Sequence, residues 1–155
     1  SKPLAAATLV LDCLKATAAI LIAREVWPGT ENFAAAGALI GHLYPVWLRF
    51  KGGKGVATLL GVLIPLLPIG ALIYAIIWIE EERPYSIPFA ILIASSTSVA
   101  GMIAALSAPI SAVILGERLL FPMLVGFALL VVWKHKTNIA RLRAGTEPKV
   151  GKKTA

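Results

Sequence analysis

The stretch Phe50-Lys51-Gly52-Gly53-Lys54-Gly55-Val56-Ala57-Thr58 carries the clearest chemical signal in this sequence. Three glycines within four positions let a backbone turn tightly and leave its amides open. Val56 begins an apolar run, so a helix starting there would aim its first N–H groups, with their partial positive charge, back at the turn. Lys54 adds a full charge. Open amides, a helix N-terminus and a lysine together suit a phosphate group. Gly52, Gly53, Lys54 and Gly55 are therefore the candidate phosphate-binding residues. The spacing is not the G-x-x-x-x-G-K-[ST] of a Walker A loop. The plainer alternative is a flexible basic turn that only orients the chain.

Other polar residues stand out against apolar surroundings. His42 lies in Gly41-His42-Leu43-Tyr44-Pro45, where a hydrogen-bonded structural role is the first expectation. Asp12 and Lys15 are one helical turn apart and share a face, which predicts a local ion pair. His135 and Asn138 have the same i,i+3 spacing and can point together at a ligand; the alternative is a solvated basic tail. Glu147 is a lone acid among basic residues, and a structural pairing partner is the simplest reading. The one cysteine, Cys13, excludes an internal disulfide. No cluster of zinc-ligating types is present, so no metal is expected.

These residues must be positioned by membrane-spanning helices. The 155 residues are 58% hydrophobic and 15% charged, against about 25% charged in soluble domains. Long apolar runs alternate with short basic or proline-containing breaks. The fold class is thus an all-α, multi-span helical bundle, a single membrane domain over residues 1–155 with a basic cytoplasmic tail over 134–155. Predicted spans cover about Leu4–Ala23, Phe33–Leu48, Val56–Leu66, Ile69–Ile79, Val99–Leu115 and Leu119–Trp133. Pro65 and Pro68 break the third apolar stretch into two helices. Glu80–Pro88, with three consecutive glutamates, is expected to interrupt the helical pattern, because charges at membrane depth are costly.

Seven of the fifteen Lys and Arg residues fall between Lys134 and Lys153, and Arg49, Lys51 and Lys54 share one turn. With both clusters inside, about six spans satisfy the bias of basic residues toward the cytoplasm. Several spans are shorter than the usual ~20 residues, implying a thin or partly interfacial bundle. The basic tail suits anionic membrane lipids; because it directly follows a span, nucleic acid is not the expected partner.

Taken together, the Phe50–Thr58 turn with His42 and Pro45 before it, and His135-x-x-Asn138, Arg141-Leu142 and Gly145-Thr146-Glu147 after the last span, resemble the bacterial acyl-phosphate-dependent glycerol-3-phosphate acyltransferases. Asp12-x-x-Lys15 also fits that family, with Ala16 where the family usually has glycine. The resemblance covers nearly the whole chain. It implies an integral enzyme of the bacterial cytoplasmic (inner) membrane, multi-pass, with seven spans in the complete fold and a site facing the cytosol. It also implies transfer of a fatty acyl group from acyl-phosphate to glycerol 3-phosphate, giving 1-acyl-glycerol 3-phosphate for phospholipid synthesis, without metal or other cofactor.

By position, Lys54 and its neighbouring amides match the family's phosphate turn, His135 and Asn138 match active-site residues, and Glu147 matches a structural acid. Ser98, before Val99-Ala100-Gly101, is the best match to a family serine, with Ser86 after Tyr85 as the second candidate. Ser95-Ser96 replace the usual Arg-Tyr before it. The family's first helix and its Ser-Gly-Asn-x-Gly-x-Thr-Asn motif would precede Ser1 and are missing from this sequence. The expected division of labour gives the phosphate oxygens to Lys54, the turn amides and His135, and the glycerol or acyl carbonyl to Ser98 and Asn138. The competing classes are a non-enzymatic anion or lipid-phosphate transporter and an inactive truncated homologue. A transporter should build its site from broken half-helices at the membrane midplane.

Overall fold

The computed structural model describes residues 2–81 and 97–147. Among these described residues six helices build the bundle: α1 (Lys2–Val26), α2 (Glu31–Leu43), α3 (Val56–Leu66), α4 (Pro68–Glu81), α5 (Thr97–Ile114) and α6 (Phe121–Lys134). A short helix α7 (Lys136–Arg143) follows, so the beginning of the expected basic tail is helical. Glu80–Pro88, together with Ser86, lies largely outside the described residues.

Four side-chain contacts fix the helix directions. Lys15 of α1 meets His42 of α2; Thr17 of α1 bonds the Gly61 carbonyl of α3 at 2.8 Å; Arg24 bonds the Pro65 carbonyl at 2.7 Å; and Tyr74 of α4 reaches back to the Val56 carbonyl at 3.0 Å. Thus α1 and α3 run side by side in one direction, while α2 and α4 return. α5 leaves again, with Ser111 beside Gly70 of α4, and α6 comes back to place His135 near Gly101. Asp12, His42, Lys54, Trp78, Ser98 and His135, one from or beside each of the six helices, therefore lie toward one end of the bundle. This is the alternation expected from the sequence.

Local chemistry explains the breaks. Pro65 lies inside α3, whose interior it can occupy near the C-terminal end. The turn falls at Leu67, held between two prolines with φ −148° and ψ 70°. α2 stops at Leu43, earlier than the expected Leu48, because Tyr44 precedes Pro45 and such residues are pushed out of the helical region. The chain then makes a 3₁₀ turn at Val46–Leu48 and passes through left-handed conformations at Arg49 and Phe50 (φ 51° and 63°).

The interior is made of small and branched residues. Ala104, Ala105, Ala108 and Ala112 of α5 are buried beside Leu59, Val62 and Leu63 of α3 and Leu124, Phe127 and Val131 of α6. Small residues let helices approach closely where lipid offers no hydrophobic drive for association. α1 packs closely on α3, where a Cβ on Gly61 would overlap the Cys13 carbonyl. The outside is apolar too: Leu11, Leu14, Ile22, Leu72, Ile76, Leu106, Ile110 and Leu129 are exposed. A surface so apolar on every side suits lipid and not water.

Among the described residues only Pro3–Val26 is both long and apolar enough to cross a membrane by itself. The other five helices have 11–18 residues, about 16–27 Å at 1.5 Å per residue, below the ~30 Å of a bilayer core. They are the short spans that the sequence implied.

Candidate active site

A cavity of about 530 Å³ opens where these helix ends converge, lined by Asp12, His42, Gly53, Lys54, Gly55, Val56, Trp78, Ser98 and His135 among others. Residues from α1 to α5 and the second half of the glycine turn meet there. The lining includes Lys54, Ser98 and His135, three of the four residues singled out for catalysis. Trp78 is an addition that the sequence did not signal, since it reads as an ordinary interfacial aromatic of α4.

The turn owes its shape to contacts that only glycine permits. Gly53 N–H donates to the His42 carbonyl at 3.2 Å. A Cβ on Gly52 would overlap that same carbonyl, and one on Gly53 would overlap the His42 ring at Nε2. Gly55, the N-cap of α3, has φ 86° and ψ 3° and no capping side chain; a Cβ there would also stand 2.9 Å from Leu43 Cδ2. The first amides of α3 are thereby left open beside the cavity, an arrangement that favours an anion.

Lys54 stands exposed over this uncapped end. Its pKa lies below the ordinary 10.5, first through partial burial against the turn, with Glu147 raising it and Arg141 lowering it. A bound phosphate would act in the same sense as Glu147 and favour the ammonium form.

His135 sits at the junction of α6 and α7 and is 1% exposed. Its Nδ1 lies 2.7 Å from the Val131 carbonyl. A carbonyl only accepts, so Nδ1 carries the proton and Nε2, on the Gly101 side, is an acceptor in the neutral ring. Burial lowers its pKa from 6.5; the Val131 bond offsets this in part, and Lys54 lowers it further against Glu147. A neutral His135 cannot donate to phosphate through Nε2. It is better suited to receive a hydroxyl proton than to hold phosphate oxygens.

Ser98, Asn138, Arg141 and Glu147 form one network. Asn138 Nδ2 donates to Ser98 Oγ at 2.6 Å and to Glu147 Oε1 at 2.8 Å. Ser98 donates to the same Oε1, and Arg141 Nε donates to Oε2 at 2.7 Å. The Glu147 side chain is 6% exposed, covered by its own partners. Burial raises its pKa, but the hydrogen bonds from Asn138, Ser98 and Arg141 outweigh this and hold it at about 2. Glu147 is thus an anchored anion. Asn138 is buried, not part of a solvated tail, and does not line the cavity itself.

Asp12 and Lys15 form the predicted pair, at 2.6 Å. Unforeseen was its third member: Lys15 Nζ also lies 2.8 Å from His42 Nδ1. On the α6 side, Lys134 Nζ donates to the Leu43 carbonyl at 2.7 Å and stands 4.4 Å from the centre of the Tyr44 ring, fixing the end of α2. The Leu67 break lies at the opposite end of the bundle from Lys54, so it does not build the midplane site of a transporter.

The fold and this site define a polytopic helical membrane protein with a cavity, lined by a lysine and an open helix N-terminus, at one end of its bundle. The chain belongs to the glycerol-3-phosphate acyltransferase family, whose model matches residues 1–145. A glycerol-3-phosphate acyltransferase of Mesorhizobium japonicum is 49% identical over 153 residues, covering 99% of this chain and 74% of that protein. One from Rhodopseudomonas palustris is 44% identical over 154 residues, covering 98% and 73%. Crystal structures of PlsY, an integral membrane glycerol 3-phosphate acyltransferase, superpose well. The glycerol 3-phosphate form gives a TM-score of 0.83 at 30% identity, covering 97% of this chain and 72% of that one. The lysophosphatidic acid form gives 0.81 at 30%, covering 96% and 73%.

Proposed function

We propose that the protein transfers a fatty acyl group from acyl-phosphate to glycerol 3-phosphate at the cytosolic face of the bacterial inner membrane. The observation that carries this reading is the convergence of the uncapped α3 terminus, Lys54, Ser98 and His135 on one cavity. Family membership supplies the acyl transfer; the glycine turn supplies a place for phosphate.

The chemistry is modest for an activated donor. The glycerol hydroxyl attacks the acyl carbonyl carbon, the bond from that carbon to the phosphate oxygen breaks, and inorganic phosphate leaves. Lys54 and the α3 amides hold phosphate oxygens and stabilise charge as it builds. His135 Nε2 accepts the hydroxyl proton. Ser98 donates to Glu147 and accepts from Asn138, so its remaining lone pair faces a hydroxyl donor and not a carbonyl. It therefore orients the glycerol, with Asn138 and Glu147 holding it in place. Membrane lipids surround the apolar flanks, and the basic residues beside the site face anionic headgroups.

The test is kinetic. Lys54→Ala should raise KM for glycerol 3-phosphate by roughly tenfold or more, the worth of a charge-assisted contact, with thermal unfolding unchanged. Wild-type kinetics in both Lys54→Ala and Gly53→Val would overturn the phosphate assignment. For the orientation, Cys13→Ala carrying a single cysteine at Lys54 should resist an impermeant thiol reagent in intact cells; labelling there would put the site on the wrong side.

A further inference from the structure

We infer that Asp12, Lys15 and His42 form a tautomer lock that turns His42 Nε2–H into a hydrogen-bond donor for a phosphate oxygen in the cavity. This rests on the phosphate reading above and adds to it a residue that the sequence marks as structural.

Lys15 stands between the acid and the imidazole. Its ammonium lies 2.6 Å from Asp12 Oδ1 and 2.8 Å from His42 Nδ1. An ammonium has only donors, so Nδ1 must accept, and the single proton of the neutral ring is on Nε2. Asp12 Oδ1, 3.4 Å from the same Nδ1, holds the ammonium in place. Without Lys15 that carboxylate would favour the opposite tautomer, with a proton on Nδ1. The lysine between acid and imidazole therefore decides which nitrogen donates.

The ring faces the right place. His42 and Asp12 line the 530 Å³ cavity with Gly53 and Lys54. The same two residues, with Lys15, Lys51, Gly52 and Gly53, line a second cavity of about 350 Å³ behind the turn. His42 thus stands between the two, against the turn itself, and Gly53 must lack a Cβ because Nε2 occupies that space. A structural histidine would pair both nitrogens with protein groups. Among the described residues Nε2 has no protein acceptor, yet it abuts the turn.

The second histidine gives an internal contrast. His135 donates through Nδ1 to Val131 and presents a bare Nε2, whereas His42 accepts at Nδ1 and presents Nε2–H. One cavity therefore holds a donor imidazole and an acceptor imidazole. The donor suits phosphate oxygens and the acceptor suits a hydroxyl, the two functional groups that an alcohol phosphate brings. Asp12 and Lys15 are positioning residues, since they act through His42.

The sequence has two histidines, so nitrogen-15 spectra of the detergent-solubilised protein can assign both. His42 should show the Nε2–H tautomer and His135 the Nδ1–H tautomer. Lys15→Met should shift His42 to a mixture or to Nδ1–H while leaving His135 unchanged. Titrating inorganic phosphate into the wild type should move the His42 Nε2 and N–H signals. In steady state, Lys15→Met and His42→Leu should each raise KM by roughly tenfold with little change in kcat, the scale of one hydrogen bond to a charged group. His42→Gln, which keeps an N–H donor near the Nε2 position, should recover most of that loss. KM for glycerol 3-phosphate rising alone would assign the donor to the acceptor substrate's phosphate; KM for acyl-phosphate rising alone would assign it to the leaving phosphate. Either outcome supports the lock. A His42 tautomer unchanged by Lys15→Met would overturn it. Phosphate binding, seen by calorimetry, without any response at His42 would overturn the donor role alone. Absence of phosphate binding in the wild type would remove both this inference and the phosphate site beneath it.

Discussion

Ser98 Oγ donates to Glu147 Oε1 across 49 positions of sequence, joining the first turn of α5 to the segment after α7. Asn138 bridges the same two atoms. The site wall is therefore closed by one carboxylate that collects three donors. Glu147→Gln replaces that anion with a group whose amide end is itself a donor, facing Ser98, Asn138 and Arg141. We expect a loss of about 1 kcal/mol or more after allowing for screening near the surface, with lower yield of folded protein. Thermal unfolding in detergent measures it; an unchanged transition would show that the network is dispensable.

Glu147 also predicts an acid limit. Its pKa falls from 4.5 to about 2 on folding. The stabilisation is complete above the unfolded value and is lost as pH falls from about 5 toward 2. Denaturant titrations between pH 6 and 3 should show declining stability in the wild type and a shallower decline in Glu147→Gln. Parallel curves would assign the acid loss to other carboxylates.

His135 predicts an acid limb of activity. Its pKa lies below 6.5, so the neutral acceptor dominates at neutral pH and is lost on acidification through a midpoint below 6.5. The second ionisation of a phosphate monoester, near 6, contributes equally to any variant. The His135 share is thus read as the difference in log kcat/KM between wild type and His135→Gln over pH 5–8. Identical profiles, with rates also alike, would exclude an acceptor role.

The glycines divide sharply. Gly52→Ala and Gly53→Ala place a methyl against His42, and Gly55→Ala adds the strain of a positive φ. Each should raise KM for glycerol 3-phosphate at least severalfold, with Gly52→Ala the worst because it meets backbone. Gly37→Ala, which meets nothing within 4 Å, should leave kinetics and stability as they are. Equal effects at all four positions would mean that the turn's geometry does not matter.

Gly61 tests the scaffold instead of the site. A methyl there overlaps the Cys13 carbonyl and must push α1 from α3, also stretching the Thr17–Gly61 bond. Overpacking of this kind costs typically 1–3 kcal/mol. Gly61→Ala should lower the unfolding temperature, and Gly61→Ser should do no better.

The sequence by itself determined the helical bundle, its alternation and the glycine turn. Those features are local: apolar runs of span-like length, prolines that forbid helix just before them, and glycines next to a helix start. It also determined the Asp12–Lys15 pair, because i,i+3 residues meet whenever the helix forms. The tertiary structure decided what depends on helix packing. His42 becomes a third member of that pair only because α2 lies against α1, 27 residues away. The tautomer of His135 follows from the Val131 carbonyl beside Nδ1, and no spacing rule carries tautomers. Ser98 and Glu147 read as separate candidates until α5 and the end of α7 came together. A side chain's residue type limits the bonds it can make; the neighbours that the fold brings decide which of them it does make.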